Sequence, residues 1–273
     1  MKILNLIKNI INGKPKAGQF SYVFEFPKQK NGEYTLSRAD RNTGIVLNEK
    51  FKYAGSDHER VYTEFGNIEE AINTAREIAK ANATVEIYVY DHNEQLVCYI
   101  DIEKEKFHNP YLEFNFKLKQ QIDISPEEML LAFGLNICKR LLPEYIKFYD
   151  RHQWGDPGAL TEVINYCESH KINEMQKTKL QDYHNRIDAV TPDTEDFGDS
   201  DGSYALNAGC SVITLLDFLI TGDKASIFDI STYMTDTVDF KLREAHPDLT
   251  EKEIDEHADM INERKYQLEL LRC

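Results

Sequence analysis

Apolar residues in the first 104 positions mostly alternate with polar ones. The alternation covers 33–39 and 84–90, and QLVCYIDI (95–102) repeats it after the turn DHNE. A spacing of two residues is typical of β-strands. An earlier alternating run, FSYVFEF (20–26), is expected to precede 33–39 across the turn KNGE. The polar stretch 40–60 is expected to form a long loop or an edge strand.

One segment of this region has helical spacing instead. Residues 67–82 place isoleucine and alanine side chains on one face, and Asn67 stands three positions before Glu70 as a helix-start signature. The resulting β-β-α-β-β order predicts a small α+β domain over 1–104, in which the helix covers one face of the sheet. The first residues, MKILNLIKNIINGKPK, predict an amphipathic helix docked on this domain.

The spacing changes after the charged segment EKEKFHNP (103–110), whose Asn-Pro dipeptide marks a boundary. From residue 125 on, every periodic segment is helical. Ser125, Pro126 and Glu128 form a predicted helix start, and Pro143 is expected to kink or break that helix because proline lacks a backbone donor.

The most apolar segment is SYALNAGCSVITLLDFLITGD (203–223), which is apolar on nearly all sides. Such a helix is predicted to be buried at the centre of a helical bundle. Residues 172–190 carry a single apolar stripe. The other predicted helices follow start or stop signals: Asp156-Pro157 before 157–169, Asp223 before a helix that Pro247 ends, and Thr250 with Glu253 before the last helix. The sequence thus predicts a two-domain α+β protein, with the small sheet domain followed by an all-α bundle over 107–273.

Several blocks of this second part resemble a known family. They are LNICKRLLPEYIKFYDRHQWGDPGAL (135–160), VTPDTEDF (190–197), ALNAGCSVITLLDFL (205–219) and ISTYMTDTVDF (230–240). In this order they resemble the YjaG-like bacterial family, an all-helical domain of unknown function. The resemblance covers about 107–273 and implies a compact cytoplasmic helical domain, without an assigned reaction, cofactor or catalytic residue. The first part of the chain lies outside it.

Charge is unevenly distributed between the two parts. Residues 1–104 carry 14 Lys and Arg against 15 Asp and Glu, whereas 105–273 carry 18 against 32, a net charge of −14. This field repels phosphates and anionic lipids, so neither nucleic acid nor a membrane is a predicted partner. It favours a basic protein partner, or serves only solubility. The sequence contains no run of 18 apolar residues, so no membrane span is predicted.

Five carboxylates lie together in VTPDTEDFGDSDGSY (190–204), just before the apolar helix: Asp193, Glu195, Asp196, Asp199 and Asp201. Either Asp201 or Ser203 is expected to cap that helix, with the other acids near its positive end. The alternatives are a protein-binding edge and a metal or catalytic site. Trp154, the only tryptophan, is either the plug of a helix corner or a ligand platform. We take these six residues as the candidate interaction surface.

Catalytic signatures are missing from the sequence. It contains no P-loop, G-x-S-x-G, G-x-G-x-x-G or H-E-x-x-H motif, so no catalytic residue, metal site or cofactor is predicted. The five cysteines form no C-x-x-C pair, which suits reduced thiols in the cytoplasm. Cys210 is expected to be a packing thiol. Asp217, on the apolar helix, is expected to be paired because a buried carboxylate requires a partner.

Two functional hypotheses follow. The first is a non-catalytic protein-binding or regulatory module with an acidic helical surface, in one version an immunity- or antitoxin-like protein that covers a basic toxin. The second is a divalent-metal-assisted enzyme that uses the loop 193–201, with Asp236 and Asp239 as a second carboxylate set.

Overall fold

A computed structural model describes residues 33–53 and 60–272. The amphipathic helix expected at the N-terminus and the strand expected at 20–26 lie outside the described residues. The chain divides into two compact units, residues 1–113 and 114–273.

The first unit contains an antiparallel sheet with one helix against it. Its elements are β1 (Tyr34–Asp40), β2 (Val46–Leu47), β3 (Tyr62–Phe65), α1 (Ile68–Ala81), β4 (Val85–Asp91), β5 (Leu96–Ile100) and β6 (Glu105–Phe107). The strand order is β2-β1-β4-β5-β6, and β3 also pairs with β1. The polar stretch 40–60 thus supplies a short edge strand, as one of its two expected forms.

Helix α1 begins where its sequence predicts. The Asn67 side chain caps it by accepting a hydrogen bond from the Glu70 backbone N–H at 2.8 Å. The helix packs against β4 and β1. On β4, the pleat points Ile87 and Val89 to one face and Tyr88 to the other, and all three side chains are buried. The sheet therefore buries side chains on both faces, not on the helix-covered face alone.

The boundary segment differs from the sequence prediction. Residues 105–107, expected to be a linker, form β6 and pair with β5. A helix that was not predicted, α2 (Pro110–Ile124), follows directly. Because α2 comes immediately before it, Ser125 does not cap the next helix. Its hydroxyl donates instead to the Gln121 carbonyl at 2.7 Å, and the next helix begins after Pro126 without a side-chain cap.

The second unit is helical. Its elements are α3 (Glu127–His152), α4 (Pro157–Ser169), a 3₁₀ turn (Ile172–Glu174), α5 (Lys177–Asp188), α6 (Ser200–Thr221), α7 (Ala225–Ala245), α8 (Glu251–Asp255) and α9 (Ala258–Leu270). The predicted start of α4 is confirmed, since Asp156 caps it through the Ala159 N–H. The predicted capping box of Thr250 and Glu253 is confirmed at α8. Both the 172–190 segment and the last helix, each predicted as one helix, are divided in two.

Pro143 does not break α3, which continues to His152. The residues on either side of it, Leu141 and Tyr145, are completely buried. Packing of both halves against the same core therefore holds the helix continuous, although one backbone hydrogen bond is lost at the proline.

Helix α6 lies at the centre of the unit, as predicted. It packs against α3, α4, α5 and α7, and Leu216 is completely buried. By length and composition alone α6 could span a membrane, but 61% of its most apolar segment is buried in the protein. The two-domain α+β fold predicted from the sequence is confirmed by this arrangement.

Candidate functional site

The carboxylate of Asp201 is buried at the first turn of α6. Lys147 Nζ donates to one of its oxygens and Arg151 to the other, each at 2.7 Å. These hydrogen bonds, from Lys147 first and then Arg151, hold the pKa of Asp201 below its ordinary value although burial works against them. Asp201 is therefore an ionised anchor that ties α6 to α3, and its oxygens are already occupied.

Asp199, not Asp201 or Ser203, caps helix α6. Its side chain accepts a hydrogen bond from the Gly202 N–H at 2.8 Å, so the helix begins three residues earlier than predicted. The other carboxylate oxygen lies 3.1 Å from His152 Nε2. A Cβ atom at Gly202 would collide with the Phe197 backbone, so only glycine permits this close entry into the helix.

Trp154 lies at the edge of an aromatic cluster with Phe148, His152 and Phe197. Its ring centroid is 5.1 Å from that of Phe197 and 6.1 Å from that of Phe148. About a third of Trp154 remains exposed, at 36%. The tryptophan thus packs at the end of α3 and still presents part of its ring to solvent.

The backbone around Trp154 sets this position. Gln153 ends α3 in the left-handed conformation (φ 52°), and Gly155 has φ 95°. A Cβ atom at Gly155 would meet the Tyr145 hydroxyl, which also accepts a hydrogen bond from the Asp156 N–H at 3.2 Å. The sharp turn between α3 and α4 therefore requires glycine at this residue.

Asp193, Glu195 and Asp196 remain exposed to solvent. The Asp193 carboxylate accepts a hydrogen bond from the Glu195 N–H at 2.8 Å, and its carbonyl accepts one from the Phe197 N–H at 2.9 Å. These bonds form a turn that places Phe197 directly after the three acids. We call Trp154, Phe197 and these three carboxylates the Trp154 surface.

The acids of this loop therefore fall into two sets. Asp199 and Asp201 are used inside the helical unit, whereas the three acids of the Trp154 surface take part in no ion pair with any residue that the structure describes. Sequence reasoning missed Lys147, Arg151 and Phe197. For Lys147 and Arg151 a signal was available, since their i, i+4 spacing places both cations on one helix face.

The Asp217 side chain is not buried, contrary to the prediction from its apolar surroundings. It is 46% exposed and lies 3.2 Å from His184 Nε2 on α5. Cys210 is partly buried, and burial, followed by the charge of Asp188, raises its thiol pKa. A raised pKa disfavours the nucleophilic thiolate.

The second carboxylate set of the metal hypothesis, Asp236 and Asp239, lies on α7. Burial, and then the charge of Asp239, raises the pKa of Asp236, while Asp239 is paired with Arg243 at 2.7 Å. Within residues 33–53 and 60–272, no group of three or more His, Cys, Asp or Glu side chains is arranged to hold a metal ion.

Comparison with known proteins gives a family without an activity. Residues 117–273 match the family described as "Protein of unknown function (DUF416)". The crystal structure of a DUF416 family protein from Shewanella baltica OS155 is similar at 22% sequence identity, with a TM-score of 0.49, over 56% of this chain and 80% of that one. No curated protein matches the chain. Because the family match spans more than half of the residues, the chain belongs to the DUF416 family.

Proposed function

We propose that the protein is a non-catalytic protein-binding module whose Trp154 surface contacts a basic partner. The observation that carries this proposal is a part-exposed tryptophan packed at a tilt of 48° against Phe197, which directly follows three exposed acids that form no ion pair with any residue the structure describes. Interface energy concentrates in aromatic anchors, tryptophan above all, that are surrounded by a polar rim. The surface has both components.

The negative charge of the second part of the chain favours a positively charged partner. Residues 105–273 carry a net charge of −14, and complementary charge accelerates association with a basic protein. An immunity- or antitoxin-like role, in which this surface covers the basic active site of a toxin, is the most concrete form of the proposal. The proposal includes a cytoplasmic location and kinship with YjaG-like proteins. It is compatible with the four cysteines that the structure describes, all of which are free and three of which are buried.

The test is a pull-down from the native host at low and high salt. A stoichiometric partner should be retained at low salt and released at high salt. Trp154→Ala should abolish its capture, and the triple variant D193N/E195Q/D196N should weaken it. The matched control E127Q/D182N/D229N removes three exposed charges elsewhere in the helical unit and should capture the partner normally. Capture that is indifferent to salt, or equal loss in the control, would contradict the proposal.

The rival proposal, a divalent-metal-assisted enzyme at 193–201, has less support. Asp199 and Asp201 already bind protein groups, and Asp239 is paired with Arg243. Thermal unfolding with Mg²⁺ or Mn²⁺ distinguishes the two proposals. Stabilisation by millimolar metal that D193N/E195Q/D196N removes would favour the enzyme.

A further inference from the structure

A polar cavity of about 570 Å³ opens on the sheet of the first unit. Tyr88, Tyr99 and Lys106 stand side by side across β4, β5 and β6, because each faces the next in the strand register. Glu86 on β4 and Asp101, the residue after β5, add two acids that are each more than nine-tenths buried. The cavity therefore has an aromatic and acidic floor next to a lysine.

The Tyr99 hydroxyl lies between the two acids, 2.6 Å from Asp101 and 3.2 Å from Glu86. Asp101 also accepts hydrogen bonds from the backbone N–H groups of Glu103 and Lys104. Burial works to raise the pKa of Asp101, but these hydrogen bonds outweigh it and lower the pKa. Asp101 is thus ionised, and it receives the one proton that the tyrosine can donate.

Glu86 shares the Tyr99 hydroxyl with Asp101, and the Tyr88 hydroxyl also donates a hydrogen bond to it. Burial, the largest cause, raises the pKa of Glu86, whereas these two contacts lower it. Burial outweighs them, so Glu86 takes up a proton more readily than an exposed glutamate does.

Three cations, Arg41, Lys104 and Lys106, also line the cavity. Arg41 is paired with Asp101 at 3.5 Å and with Glu103. Neither of the two lysines forms an ion pair with a residue that the structure describes. Lys104 and Lys106 are therefore the cations of the cavity that can meet a ligand.

We propose that this cavity binds a small organic anion, a carboxylate or a phosphate, whose charged group meets Lys104 and Lys106 and whose body lies against the rings of Tyr88 and Tyr99. Partly enclosed cavities that combine aromatic walls with a few placed polar groups are typical ligand sites. The site lies in the first unit and is independent of the Trp154 surface, so either proposal can fail alone.

Calorimetric titration of the full chain with phenyl phosphate and benzoate tests the proposal, with benzylamine as a cation of similar size. At least one anion should bind with a Kd on the order of 1 mM, and benzylamine should not bind. Lys106→Gln should weaken anion binding about tenfold. The matched control Lys80→Gln removes a lysine from the end of α1, outside the cavity, and should bind normally.

Glu86→Gln tests the sign of the ligand. The substitution can only remove negative charge from the floor of the cavity, so anion binding should be unchanged or tighter. A weakening of about tenfold would overturn the proposed anion site. Absence of binding by both anions up to about 10 mM, equal binding of benzylamine, or equal weakening by Lys80→Gln would overturn the proposed site.

Discussion

Asp201→Asn should destabilise the helical unit far more than removal of any exposed acid of the same loop. The substitution keeps the size of the side chain but removes the charge that binds Lys147 and Arg151. It also removes a negative charge from the first turn of α6, where the helix dipole favours one. The destabilisation should therefore arise from lost electrostatic contacts and not from a cavity.

The magnitude follows from the burial of each group. A hydrogen bond to a charged group contributes about 1.5–3 kcal/mol. The two cations are 62% exposed and recover hydration when the carboxylate is lost, so solvent screening reduces this value. Asparagine also retains one acceptor oxygen. For Asp201→Asn we expect a loss of about 1–3 kcal/mol in the free energy of unfolding.

Urea denaturation of the full chain, followed by the fluorescence of Trp154, measures this loss. Trp154 is the only tryptophan and lies in the helical unit, so the signal reports on that unit. The pKa of Asp201 is lower in the folded state than its ordinary value of 3.8. The stabilisation is thus present above pH 3.8 and lost as the pH falls through the folded-state pKa. The difference between wild type and variant should shrink in the same acidic range.

Asp196→Asn is the matched control, since Asp196 belongs to the same loop and is exposed. It should change the free energy of unfolding by less than about 0.5 kcal/mol. Equal effects of the two substitutions, or a pH-independent effect of Asp201→Asn, would refute the assignment of Asp201 as an ionised anchor.

Three further outcomes are expected. Leu216→Ala should cost about 2–5 kcal/mol in urea denaturation, against almost nothing for Ile124→Ala, because Leu216 is completely buried and Ile124 is 84% exposed. Gly209→Ala should cost about 1–3 kcal/mol in the same assay, since the added Cβ would collide with Thr191; an unchanged midpoint would contradict this contact. The raised pKa of Glu86 means that the first unit loses stability as the pH rises from 4.5 through that pKa, and Glu86→Gln should remove this dependence in thermal unfolding followed by tyrosine near-UV circular dichroism.

Local chemistry explains which helix starts could be read from the sequence. Asn67, Asp156 and Thr250 cap their helices through bonds that reach only three residues along the chain. Such bonds depend on neighbouring residues alone, so their signature is visible in any sequence. The apolar run of α6 was equally readable, because a helix that is apolar on all sides must be buried.

Helix α2 shows where the hydrophobic pattern was insufficient. Its buried residues include Phe114, Phe116 and Leu118, which alternate as they would in a strand. Phe114, Leu118 and Ile122 also have the i, i+4 spacing of a helix, so the pattern fits both structures and tertiary packing decided between them. The same effect displaced the expected cap at Ser125 and kept α3 continuous through Pro143.

The sequence by itself determined the composition of the acidic loop, its position before a buried helix and the sign of its charge. Only the tertiary structure decided which acids stay free. Asp201 meets Lys147 and Arg151 across about fifty residues of chain, and no local rule links such distant positions. The rings of Trp154 and Phe197 likewise come into contact only because α3 ends beside the start of α6. Charges and rings far apart in sequence acquire partners through packing, and packing is a property of the whole helical unit.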